Sequence, residues 1–171
     1  YIHIARQRTG DTPWFTDKRP DNVFHIGFIR AMLPNATIIH LSRHPVATCL
    51  SIYEQDFAQI SYGNDLSWLG AQYVAYRQTM DYWRSLFPDG IIEIEYESLV
   101  NDTQATVESL GQQMGLVFDV KAIEASQQTG EILTASRWQA RQPIHTDSVD
   151  RWELLAQQLQ PLLASLAPVW K

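Results

Sequence analysis

Arg43 stands where an apolar stretch, Ala36 to Leu41, gives out, and Ser51 follows eight positions later in a segment opened by Pro45. If the first segment is a buried strand and the second a helix, the guanidinium lies at a sheet edge and the hydroxyl about two turns along the next helix. In open α/β sheets ligands collect at the carboxyl ends of strands, and the positive end of a following helix favours anions. An arginine fork and a hydroxyl suit a phosphate monoester, the first supplying charge and the second a directional donor. An ordinary reading also exists, in which Arg43 pairs with a carboxylate such as Glu95 and Ser51 faces the core. The spacing alone does not choose between them.

Other side chains offer less. Lys18 lies in a polar stretch, where a lysine is usually solvated. His3, His25, His40, His44 and His145 include no pair with metal-ligand spacing, so no metal is expected. A histidine could serve as a general base, although ordinary helix, strand or loop positions account for most histidines. Cys49 is the single cysteine, which rules out an internal disulfide and a thiolate-rich metal site and points to a reduced, cytoplasmic setting.

The elements that must position these groups follow from pattern. Residues 1–21 are polar and broken by Gly10, Pro13 and Pro20, which predicts a loop-rich entry. Asp21 or Asn22 can cap a helix to Leu33, stopped by Pro34. "ATIIHL" reads as a strand, and Pro45 suits the first turn of a helix reaching about Phe57. Asn64 or Asp65 opens a long helix whose stripe of Leu66, Leu69, Tyr73, Tyr76, Met80, Trp83 and Phe87 keeps the helical period, so it reads as core and not as a base-stacking platform. "IIEIEY", Ile91 to Tyr96, alternates like a second strand. Helices are expected over 103–114, stopped by Gly115, and over about 121–127. Residues 129–147 lack a clean period, which predicts a long loop, the kind of segment that carries function. Ser148 can cap a last helix, with Trp152, Leu155 and Leu159 inward and a bend or restart at Pro161. The class is α/β, with only part of a sheet.

The 171 residues suit a single domain, 1–171, able to bury a core at 45% hydrophobic content. A formal charge of -6 and a pI near 5.2 argue against nucleic acid and anionic membranes as partners, so any anion must be bound by local design. No apolar run has the length that spans a bilayer. The sequons at Asn35 and Asn101 matter only in a secretory compartment. The chain opens on Tyr1, which leaves room for a processed or longer protein.

Four motifs in order carry a resemblance: "TDKRP" at 16–20, "RHPVATCLS" at 43–51, "EYESLV" at 95–100 and "TASRWQARQPIHTDSVDRW" at 134–152. Together the sequence resembles the sulfotransferases that use 3'-phosphoadenosine 5'-phosphosulfate (PAPS), in particular tyrosylprotein sulfotransferases and bacterial sulfotransferases fused to tetratricopeptide repeats. The resemblance implies a P-loop-NTPase-like three-layer fold around a parallel sheet, here helix-rich and incomplete at the N-terminus. It implies that Arg43 and Ser51 bind the donor's 3'-phosphate, and that Tyr96 contacts the nucleotide. It further implies that the loop from Ser136 to His145, including Arg137 and Gln139, closes over the adenosine bisphosphate with Arg151. Lys18 and Ser136 match the lysine and serine that reach the sulfuryl group and the bridging oxygen.

Two departures from that pattern stand out. No Gly-rich loop followed by a basic residue and Ser or Thr occurs, so the loop that grips the 5'-phosphosulfate and the carboxylate base beside it are lacking. The sequence looks like the later two-thirds of such a domain, joined in a whole protein to an N-terminal segment or repeat domain. Gln55 also stands where the family has a further arginine. The implied activity is sulfuryl transfer to a hydroxyl of a peptide tyrosine, carbohydrate or small molecule. A P-loop kinase relative and a non-catalytic remnant of the fold are the competing readings.

Overall fold

In the computed structural model, residues 1–10, 12–55, 62–119, 121 and 149–170 are described. Two strands, β1 (Ile38–Ser42) and β2 (Ile91–Glu95), pair in parallel from Ile38 opposite Ile91 to Ser42 opposite Glu95. Parallel neighbours need a long crossover. Here α3 (Pro45–Glu54) and α4 (Leu66–Leu86) supply it. Before them come α1 (Ile2–Thr9) and α2 (Ile26–Met32), and after β2 come α5 (Tyr96–Asn101), α6 (Thr103–Met114) and α7 (Gln160–Leu166). The result is a mixed, helix-rich α/β fold with a small parallel sheet.

Local signals explain most boundaries. The Asp65 carboxylate accepts the Trp68 amide at 2.8 Å and starts α4, and Asp102 does the same for Ala105 at 3.0 Å at the head of α6. Gly115 ends α6 in a left-handed conformation at φ 66°, which costs a glycine nothing.

The core lies between α3, α4 and α7. Val46, Cys49 and Leu50 meet Leu69 and Tyr73, and Leu159, Leu162 and Leu166 close the far side. Each fully buried leucine contributes about 1.5–3 kcal/mol. Gly70 allows α4 and α7 to approach this closely, because a Cβ there would fall 2.5 Å from the Ser165 Cβ. The α4 stripe is core as its period predicted: Leu69, Tyr73 and Met80 are buried.

Several expectations need correction. The entry segment is not all loop, since residues 2–9 form α1, a helix with no buried residue and therefore no apolar period to betray it. The helix expected over 21–33 is split into a 3₁₀ helix, Pro20–His25, and α2. Trp83 explains the split: its indole N–H donates to the Val23 carbonyl at 2.8 Å, the acceptor that an α-helix would offer to the Gly27 amide. Tyr96 begins α5 instead of ending β2. At the C-terminus the last helix opens as a 3₁₀ helix, Arg151–Leu155, and not as an α-helix, while the restart expected at Pro161 is found: that proline falls in the first turn of α7, where its missing N–H costs nothing. The helix expected to reach about Phe57 ends at Glu54, with Gln55 as its C-cap, whereas the end of the helix expected near Gln127, the loop expected over 129–147, His145 and the Ser148 cap lie outside the described residues.

Candidate functional site

An open cleft of about 320 Å³ lies beside the end of β1, at the low end of small-molecule site volumes. Arg43 and Ser51 both line it, with Leu41, Thr48, Ile52, Gln55 and Tyr76. Thr48, Ser51, Ile52 and Gln55 are spaced by three and four, so one flank of α3 forms the wall. Gln55 thus faces the same space as Arg43.

Arg43 is fixed from both ends. Tyr73 donates its hydroxyl to the Arg43 carbonyl at 3.0 Å. Its guanidinium carbon lies 4.6 Å from the centroid of the Tyr96 ring, within cation–π range. The positive end of α3 is already served by the chain itself, because the His44 amide donates to Glu97 Oε1 at 2.8 Å and Pro45 has no N–H to offer. An anion in the cleft is therefore met along the flank of α3 and by Arg43, and the His44 amide at the helix head is not available to it. The His44 ring stacks on Trp152, centroids 4.8 Å apart, with Trp170 edge-on. Burial lowers its pKa against the opposing pull of Glu97 and Asp150.

A second polar group touches the cleft through Tyr76. Tyr76 is hydrogen-bonded to His40 Nε2, and His40 Nδ1 lies 2.6 Å from Glu93 Oε2. Nδ1 faces an acceptor, Glu93 Oε2, at 2.6 Å and a donor, the Arg84 guanidinium, at 3.2 Å; the much shorter contact assigns the proton to Nδ1 and leaves Nε2 to accept from the phenol in neutral His40. Arg84 donates to both oxygens of Glu93, at 2.8 and 3.0 Å, and to Asp81 at 2.6 Å. Half-burial pushes the Glu93 carboxyl up, but the hydrogen bonds from Arg84 and His40 together outweigh it and hold it below the usual value. Burial pushes the Tyr76 phenol up to about 12, so it remains a donor at neutral pH.

The remaining expected site residues stand elsewhere. Lys18 is exposed and does not line the cleft. Arg151 forms a fork with Glu54 at the end of α3, at 3.1 and 2.7 Å. Ser136, Arg137 and Gln139 lie outside the described residues. Sequence reasoning missed two polar residues among the described cleft lining. Thr48 carried a signal, three positions before Ser51, whereas Tyr76 was absorbed into the core stripe of α4. Among the described residues, no group of three or more His, Cys, Asp or Glu could hold a metal. No helix among them is long and apolar enough to cross a membrane.

The model of a family described as "Sulfotransferase family" matches residues 1–120, well over half of the chain. This chain belongs to the sulfotransferase family. It is also 29% identical, over 175 residues, to an uncharacterized protein of Aquifex aeolicus (strain VF5). That alignment takes in the whole of this chain and 23% of the relative, so the sulfotransferase-family chain spans less than a quarter of the relative's length. Every described residue lining the cleft falls within the matched stretch.

Proposed function

We propose that the chain is the 3'-phosphate-binding part of a PAPS-dependent sulfotransferase of the P-loop-like three-layer plan. The observation that carries this reading is that Arg43 and Ser51, separated by eight positions, line one cleft in a chain of this family. Arg43 supplies charge, Ser51 a hydroxyl donor, and the Tyr96 ring holds the guanidinium in place. Thr48 and Gln55 add polar atoms on the same wall, and the glutamine amide stands in for a cation with a neutral donor.

Sulfuryl transfer is an in-line displacement in which charge builds on the bridging oxygen as the phosphate departs, so fixed donors favour the transition state over the ground state. In this reading Lys18 and Ser136 meet that charge. Loss of such a donor costs about 10² to 10³ in turnover. Arg137, Gln139 and Arg151 would close over the adenosine bisphosphate, and Arg151 must exchange Glu54 for the ligand to do so. The acceptor is a hydroxyl, of a peptide tyrosine, a carbohydrate or a small molecule.

Calorimetry with adenosine 3',5'-bisphosphate, AMP and ATP tests the reading. The bisphosphate should bind better than AMP, and Arg43→Ala should abolish the difference. Equal binding of bisphosphate and AMP by the unaltered chain would overturn the reading, and a preference for ATP would favour a kinase-like one.

A further inference from the structure

Among the described cleft residues, Tyr76 is the one whose hydroxyl is tied to a charged network. The network runs from the cleft through His40 and out to solvent: Tyr76 on α4, His40 on β1, Glu93 on β2, then Arg84 and Asp81 back on α4. His40 is nearly enclosed, with a side chain 10% exposed. The groups facing it are Glu93 from β2 and Tyr76 and Arg84 from α4, with Arg77 and Tyr73 acting on Tyr76 from the same helix.

With His40 neutral, the phenol proton of Tyr76 points at Nε2 and away from the cleft. It cannot serve an anion at the same time, because a phenol has one proton to give. Turning that proton toward the cleft would leave Nε2 and the phenol oxygen facing each other as two acceptors. A proton taken up on Nε2 removes the conflict: Nε2–H then donates to the phenol oxygen, and the phenol donates onward. An imidazole is the side chain that most readily accepts a proton near neutral pH. Glu93, 2.6 Å from Nδ1 and also held by Arg84, is placed to balance the new charge.

We propose that Tyr76 is a further ligand of the anion bound beside Arg43 and Ser51, and that His40 takes up one proton when that anion binds. The inference rests on the reading of the cleft as a phosphate site and extends it. The balance is simple: a buffer acid gives its proton to His40 Nε2, and the Tyr76 hydroxyl moves its hydrogen bond from Nε2 to a phosphate oxygen without losing its proton. His40 and Glu93 are positioning residues and do not touch the ligand.

Calorimetric titration with adenosine 3',5'-bisphosphate, in two buffers of different ionisation enthalpy at the same slightly alkaline pH, reads the proton directly. A phosphate monoester is then dianionic and contributes no uptake of its own. The expected result is a binding enthalpy that differs between buffers by an uptake approaching one proton per ligand. AMP in the same buffers should show much less. Tyr76→Phe should lose the buffer dependence and bind the bisphosphate roughly ten- to a hundredfold more weakly, as for a hydrogen bond to a charged group. His40→Gln, whose amide donates to the phenol oxygen without titrating, should lose the buffer dependence while the bisphosphate still binds better than AMP. Identical enthalpies in both buffers for the unaltered chain would overturn the proposal, and so would unaltered affinity in a folded Tyr76→Phe. Either failure leaves the 3'-phosphate preference standing, whereas loss of that preference removes the function reading itself. The buffer comparison needs no variant and decides the matter even if Tyr76→Phe does not fold.

Discussion

Arg43 lies over the ring of Tyr96, with 4.6 Å between guanidinium carbon and ring centroid, so the ends of two parallel strands are joined by a side-chain contact at the mouth of the cleft. The contact makes the strand ends one unit. It also gives the arginine a fixed plane from which to meet a ligand.

That contact should be measurable. Tyr96→Leu removes the π face while keeping bulk, and it should weaken adenosine 3',5'-bisphosphate binding about three- to thirtyfold, the range of a partly desolvated cation–π pair. In a double-mutant cycle with Arg43→Ala the two losses should fall well short of adding, because each removes the same contact. Additive losses would mean that Tyr96 acts on the ligand alone.

Gly70 predicts a cost in stability. An alanine there must push Ser165 and the last helix away by a substantial part of an ångström, since its Cβ would otherwise lie 2.5 Å from a side-chain carbon. Gly70→Ala should lose about 1–3 kcal/mol in chemical denaturation, the usual cost of overpacking. A stabilised variant would show that α4 and α7 are not as close as described.

His44 predicts acid sensitivity. Burial lowers its folded pKa, so the unfolded chain binds the proton more readily than the folded one. The stabilising effect of the neutral ring is fully present above the unfolded value of about 6.5 and is lost as pH falls from there to the lower folded value. His44→Phe, which keeps a ring to stack on Trp152, should flatten the fall in melting temperature over that range. The backbone bond to Glu97 is untouched by the change.

The Arg151–Glu54 fork predicts a separation of stability from binding. Both side chains are partly exposed, so Glu54→Gln should cost no more than about 1 kcal/mol. If Arg151 serves the nucleotide, the same variant frees it from a competitor and should bind adenosine 3',5'-bisphosphate more tightly. Unchanged or weaker binding would take Arg151 out of the site.

Much of this fold is legible in the residues. β-Branched runs marked both strands, Asp65 and the three-four spacing marked α4, and Gly115 marked the end of α6. What escaped reading depends on partners distant in the chain. Nothing near Val23 announces that Trp83, sixty residues on, will take its carbonyl and break the helix. Glu97 caps the head of α3 from 53 positions away, which no local capping rule could reveal. α1 buries nothing, so its helix leaves no apolar trace. That Arg43 and Ser51 would lie near each other was legible, because strand, turn and helix are local and their geometry is stereotyped, but the spacing left their partner open and their phosphate role came from the family resemblance. Tyr76 was not legible as part of the site, for its core-like period concealed a hydroxyl whose partner lies on another element.

The wall that Leu159, Leu162 and Leu166 give the interior is made late. The described side chains lining the cleft have all been synthesised by residue 76, yet the helices bearing them cannot finish packing until α7 has emerged some ninety residues afterwards. Growing on a ribosome, this chain would carry its ligand-binding groups for a long interval before it had the interior to hold them still.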